Sequence, residues 1–167
     1  MSKEKYPLVH GEKIRKYFDS YVIKFPSRVH KRYGYTLESS CFYKVKYPLP
    51  VFKKVQRFGV GVIANLIIPV GAIIYAPDVA FMVASSNVHE RKLRASEAYV
   101  HSLAYADTCP LGAAYPYRAA FSTFNASFKY VTDTIVKPDK KFDMNKQTCA
   151  SGIHFFLNVQ DALDWRC

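Results

Sequence analysis

Apolar and polar positions alternate along much of this chain, and the alternation has the period of a strand. In FYKVKY (residues 42–47), Phe42, Lys44 and Lys46 fall on one face and Tyr43, Val45 and Tyr47 on the other. From residue 60 onward the same reading predicts strands near 60–68, 72–76, 79–84, 98–104, 128–136 and 153–157. Before it, YVIKF (21–25) reads as extended, and residues 27–47 hold one or two further strands with Gly34 at the turn between them. Helical spacing is rarer. Ile14, Tyr17, Phe18 and Tyr21 share a face and predict a short helix over 11–21, and a second short helix is considered around 89–98. Prolines at 7, 26, 48 and 50 exclude a long helix in this part of the chain. A terminal helix is signalled by Asn158 as N-cap ahead of VQDALDW, with Asp161 placed to complement the helix dipole and Ala162 and Trp165 turned inward.

One run admits two structures. Between Arg57 and Asp78 the residues FGVGVIANLIIPVGAIIYAP are uncharged and follow Lys53, Lys54 and Arg57, which suits a membrane helix. Pro69, Gly59, Gly61, Gly71 and the many β-branched residues favour instead two buried strands joined at Pro69-Val70-Gly71. A spaced pattern, V-x-x-x-I-x-x-P-D-x-x-F, occurs at 70–81 and again at 131–142; in both, an apolar strand would end at Pro-Asp.

Charge changes the picture. Of the net +11, the first sixty residues carry +10, with 14 Lys or Arg against Glu4, Glu12, Asp19 and Glu38. The remaining residues are close to neutral. The split predicts a basic aromatic arm or subdomain over 1–59 and a compact β-rich domain over 60–167, the length suiting one domain and an extension. Thirteen Tyr and twelve Phe, with few charges, are the composition of a surface covered by partners. The polar first residues, MSKEKYPLVH, and four spread cysteines (41, 109, 149, 167) without C-x-x-C favour a reducing compartment.

Candidate chemistry is sparse. Cys149 and His154 are the only close Cys/His pair, short of a zinc ligand set and lacking a third group to orient a nucleophile–base pair. His154 reads as a half-buried, hydrogen-bonded strand histidine. Gly152-Ile153-His154-Phe155-Phe156 with Ala162 and Trp165 loosely resembles a strand-plus-helix piece of ADP-ribosyltransferases, which usually need a catalytic glutamate, and no glutamate follows Glu97. No catalytic residue, cofactor, metal or small-molecule substrate is therefore expected. The interleaving of Lys/Arg with Tyr/Phe in KIRKYF, RVHKRYGY, FYKVKY and FKKVQRF suits nucleic acid, since cations neutralise phosphate and rings stack on bases. Strand alternation explains the same interleaving.

KLRASEAYVHSL (92–103), FKYVTDTIVKPDKKFD (128–143) and CASGIHFFLNVQDALDW (149–165) occur in that order. Together they resemble an uncharacterised domain that follows pentapeptide repeats in proteins of large nucleocytoplasmic DNA viruses and some phages. That family has K-x-R-A-S-x-A-x-V, then Y-x-x-G-x-x-V-x-P-D-x-F-D, then C-x-x-G-I-H-F-F and a short helix. Here Thr132 and Asp133 stand where a turn glycine is usual, Leu93 where a cysteine is common, and the basic arm replaces the repeats.

The expected fold is α+β, mainly β: a small antiparallel-sheet body with a short C-terminal helix behind the N-terminal arm. The resemblance implies a viral origin and no established reaction. The expected role is that of a non-enzymatic structural or assembly protein, a minor capsid component found in the virion and, during assembly, in host cytoplasm. Its partners would be other viral structural proteins, met through Arg15, Lys16, Arg28, Lys31, Arg32, Lys44, Lys46, Lys53, Lys54 and Arg57. Two alternatives stay open: nucleic-acid binding by the same basic residues, and membrane association through residues 58–77.

Overall fold

The structure, a computed structural model, describes residues 18–24, 30–32, 35–37, 42–76, 92–105, 118–125, 127–143 and 150–165. A single helical turn, α1 (Phe18–Tyr21), leads into strand β1 (Val22–Lys24). The strands β2 (His30–Arg32) and β3 (Tyr35–Leu37) follow and pair antiparallel, Arg32 opposite Tyr35; the turn expected at Gly34 lies outside the described residues. Next come β4 (Phe42–Val45), β5 (Leu49–Arg57), β6 (Val60–Ile68) and β7 (Ile73–Tyr75). The remaining strands are β8 (Leu93–Ala95), β9 (Ala98–Tyr105), β10 (Ala119–Ser122), β11 (Lys129–Val131), β12 (Ile135–Val136) and β13 (Ile153–Phe155), before helix α2 (Val159–Asp164). Every pairing among these strands is antiparallel.

A five-stranded sheet has the order β1-β4-β7-β8-β13 and a six-stranded one β11-β10-β5-β6-β9-β12. β11 and β12 stand at opposite edges of the second sheet in that order, yet only residues 132–134 separate them. Four Cα steps span at most about 14 Å, so the sheet curls until its edges meet. The run expected as one strand at 128–136 is thus a bent strand that pairs first with β10 and then with β9. The bend is at Asp133, whose φ of 64° lies in the left-handed region. Its amide donates to Val100 O at 2.7 Å, Val100 N donates to Thr134 O at 2.9 Å, and the Tyr99 hydroxyl donates to its carboxylate. Asp is among the few non-glycine residues that take this conformation readily.

Residues of one face of each sheet form a shared core, among them Val45, Ile74, Leu93 and Phe155 from the first and Val51, Val55, Val62, Leu66, Val100 and Leu103 from the second. On the opposite face of the six-stranded sheet, Phe52 and Ile63 are covered by α2 through Ala162, Leu163 and Trp165. The two sheets join where Phe52 and Phe156 exchange backbone hydrogen bonds of 2.8 and 2.7 Å. The described part of the uncharged run, residues 58–76, takes the two-strand form. Val62 to Ile68 is buried throughout, Gly71 turns at φ 89°, and no helix of the described residues is long and apolar enough to cross a membrane.

The division expected between residues 59 and 60 falls on the tip of the β5–β6 hairpin, whose nine rungs run from Leu49–Ile68 to Arg57–Val60. Residues 42–57 belong to the body, because their alternation buries Tyr43, Val45, Leu49, Val51 and Val55 in the shared core. Phe18 and Val22 are buried in it too. No helix extends across 93–98, since Leu93 and Ala95 alternate inward on β8. The expected strand at 79–84, residues 11–17 of the first helix and residues 89–91 lie outside the described residues. Of the two V-x-x-x-I patterns, Ile74 is buried in β7 whereas Ile135 of β12 is 41% exposed, so the strands serve different environments.

Candidate functional site

One rung crosses four strands of the first sheet. Phe42 of β4 pairs with Tyr75 of β7, Tyr75 with Arg94 of β8, and Arg94 with His154 of β13. Directly paired residues share a face, so these side chains line up on the side opposite the core. Arg94 is fully buried there. Its guanidinium lies 4.7 Å from the Tyr75 ring centroid and 4.8 Å from that of Phe142. Phe42 closes the group, edge-on to Phe142 at 6.5 Å and tilted against Tyr75 at 5.3 Å. Arg94 Nη1 donates to the backbone carbonyls of Asp143 and, at 3.0 Å, of Ser151. Burial lowers the pKa of Arg94, and the nearby Asp143 charge opposes that shift.

Gly152 is what lets the strand after Ser151 come this close. A methyl group there would sit 3.0 Å from Arg94 Cβ, 3.2 Å from Phe142 Cε2 and 3.3 Å from Ala95 O. The three strings singled out in the sequence therefore converge on one place: Arg94 from KLRAS, Phe142-Asp143 from the second string, and Ser151-Gly152 from the third. Delocalised cation, stacked rings and carbonyl acceptors are the partners a buried guanidinium requires. The arrangement clamps three segments together. His154 ends the rung, half-buried beside Arg94; Cys149 lies outside the described residues. Among the described residues no group of three His, Cys, Asp or Glu could hold a metal.

The basic residues expected to meet partners divide sharply. Lys44 and Lys46 are exposed on β4 and just after it, Lys46 lying 5.2 Å from the Tyr47 ring centroid. Lys53 shares a face of β5 with Val51 and Val55, and its side chain leads out of the core to donate to His154 O at 3.0 Å. Lys54, on the opposite face, reaches Leu163 O at 3.4 Å and Trp165 O at 3.5 Å, supplying a cation to a helix with no basic residue in its last turn. These two lysines are tied into the body rather than carried on an arm. Arg57 is half-buried, its guanidinium 5.6 Å from the Phe58 ring centroid. Lys31 and Arg32 lie on β2, and Arg15, Lys16 and Arg28 lie outside the described residues.

Sequence reasoning missed two further features. Asn65, His101 and Ser102 gather at a β-bulge between β6 and β9, all buried. Asn65 Nδ2 donates to Ser102 Oγ at 3.1 Å, His101 Nδ1 lies 3.0 Å from the same oxygen, and Asn65 Oδ1 finds no partner among the described residues. Their adjacency depends on the register shift, which no sequence pattern marks. The second feature is the exposure of Phe58 and Phe124, at 90% and 92%.

These features define a small antiparallel β protein in which a buried arginine clamps three separate stretches of the chain. Residues 38–162 match the model of a protein family described as "Family of unknown function (DUF5758)", and the chain belongs to that family. The matched span begins before β4 and ends within α2, so it takes in the basic strands β4 and β5 as well as the clamp. No curated protein and no solved structure matches the chain.

Proposed function

We propose that the protein is a non-enzymatic assembly piece, a minor component of the capsid of a large DNA virus that binds neighbouring subunits. One observation carries the reading: exposed apolar and basic residues gather around the β1–β4 edge. Ile23, 56% exposed, is the cross-strand partner of the exposed Lys44, with Lys46, the 53%-exposed Tyr47 and the 60%-exposed Val70 nearby in the chain or across the Gly71–Val45 backbone bond. Aromatic and aliphatic anchors ringed by cations suit an acidic protein surface. The resemblance to domains found with pentapeptide repeats in viral proteins supports the viral setting, and the structural use of the signature residues fits a role without chemistry.

The test is the number of chains per purified particle, measured by quantitative mass spectrometry. A fixed stoichiometry, lowered about tenfold by Lys44→Glu with Tyr47→Ser in a protein that still folds, is expected. Absence from particles, or salt-sensitive binding to an oligonucleotide that Lys44→Glu with Lys46→Glu abolishes, overturns it.

A further inference from the structure

The tip of the β5–β6 hairpin carries a second contact. Arg57 and Val60 form its last rung, leaving Phe58 and Gly59 as a two-residue turn with φ values of 51° and 78°. Positive φ at both positions is what type I′ turns require, and they take Asn-Gly or Asp-Gly because bulky side chains resist that conformation. Phe58 departs from this preference and is also 90% exposed. Two independent costs, a left-handed backbone and an apolar ring in water, thus fall on one residue to which the fold gives no core contact. Residues held so tend to serve function. The surroundings state the chemistry. The Arg57 guanidinium lies 5.6 Å from the ring centroid, Val60 is 46% exposed, and the β10–β5 register carries the exposed Arg118 to the same end.

We infer that Phe58 is a knob that inserts into an apolar socket with a carboxylate rim on another protein chain, with Arg57 and Arg118 facing the rim. This rests on the assembly reading and names a contact within it. A two-residue hairpin tip with one exposed ring is a small platform for unpaired bases, which bind along basic grooves carrying several rings. One ring is also too little for a membrane anchor, since even a whole myristoyl chain binds bilayers only marginally. The chain's net charge of +11 favours an acidic partner over a second copy of itself.

The decisive variant is Phe58→Asn, which creates the favoured Asn-Gly turn. It should raise the melting temperature by about 2–4 °C and lower the number of chains per particle about tenfold or more. A photo-crosslinking phenylalanine analogue at position 58 should join one protein, at a peptide holding both apolar residues and carboxylates. Untagged wild-type chain should suppress that crosslink, and the Phe58→Asn chain should not. Wild-type incorporation of Phe58→Asn, a lowered melting temperature, or no crosslink suppressed by wild type alone overturns the knob. So does Phe58-dependent binding to vesicles of phosphatidylcholine and phosphatidylserine in equal parts, or to a single-stranded oligonucleotide. Retention of Phe58→Asn together with loss of the Lys44→Glu, Tyr47→Ser chain leaves the assembly reading standing and removes only the knob. Absence of wild-type chain from particles removes the capsid reading, and the crosslink then decides the knob alone.

Discussion

Gly152 and Arg94 are back to back, with the position of a Gly152 Cβ 3.0 Å from the Cβ of Arg94. Two of the contacts around that point, Arg94 Cβ and Ala95 O, belong to a paired strand and cannot swing aside. Gly152→Ala should therefore destabilise the protein by about 1–3 kcal/mol, the usual cost of overpacking. Urea unfolding would show it as a lowered midpoint with an unchanged slope.

Arg94 itself answers to a graded series. Arg94→Ala removes the guanidinium donor of the Asp143 and Ser151 carbonyls, leaving Ser151 O with the Asp143 amide at 3.3 Å, and opens a void between Tyr75 and Phe142. A loss of about 3–5 kcal/mol is expected. Arg94→Met refills the volume and should recover part of it, while Arg94→Lys keeps the charge but loses the planar stacking. If all three unfold at the same urea concentration, the clamp is not what holds these segments.

At the bend, Asp133 has two duties that substitutions separate. Asp133→Gly suits the positive φ but removes the acceptor of the buried Tyr99 hydroxyl. Asp133→Ala loses both, and should cost about 1–2 kcal/mol more than the glycine variant. Tyr99→Phe should cost less in the Asp133→Gly background than in wild type, since its bond to the carboxylate is then already absent. The double-mutant cycle in urea tests this.

Tyr130 makes stability sensitive to alkali. Burial, and then the charge of Asp139, push its phenol well above the ordinary value of 10.0. The folded protein therefore holds this proton more tightly than the unfolded chain does. The stability it contributes is intact below pH 10.0 and is lost as pH rises from there toward the folded value. Tyr130→Phe should flatten the fall in unfolding midpoint above that pH, and a profile identical to wild type would refute the assignment.

Lys54 acts on α2 from a neighbouring strand. Lys54→Met should keep the fold and cost about 0.3–1 kcal/mol. Amide exchange should quicken at Trp165, whose N–H bonds Ala162 O at 3.3 Å. Equal exchange in both proteins would show that the helix end does not need the ammonium.

Strand periodicity and cap chemistry made much of this fold legible. The apolar, β-branched run of residues 60–68, the Pro69-Val70-Gly71 turn and the Asn158 cap, whose side chain accepts from Gln160 N at 2.8 Å, follow from local preferences. Charge misled where it was treated as a property of a segment. Lys53 and Lys54 belong to a basic run, yet adjacent strand residues face opposite ways, and each finds carbonyls more than a hundred residues distant. The clamp was legible only as three strings in a fixed order. That they meet depends on the pairing of β8 with β13, a long-range register that composition does not encode. Phe58 was hidden for the opposite reason, since its turn contradicts local preference.

The Phe52–Phe156 bridge sets a schedule for the chain. Lys53 and the His154 carbonyl beside that bridge are 101 residues apart, and closing so long a loop is entropically slow. The β5–β6 hairpin can form early, but the seam between the sheets must wait for β13 and α2. Trp165, the single tryptophan, sits on that seam, 5.6 Å from Phe156 and with the Lys92 ammonium 4.4 Å from its ring centroid. Its fluorescence is a built-in clock for the last event of folding, and for the first event of opening.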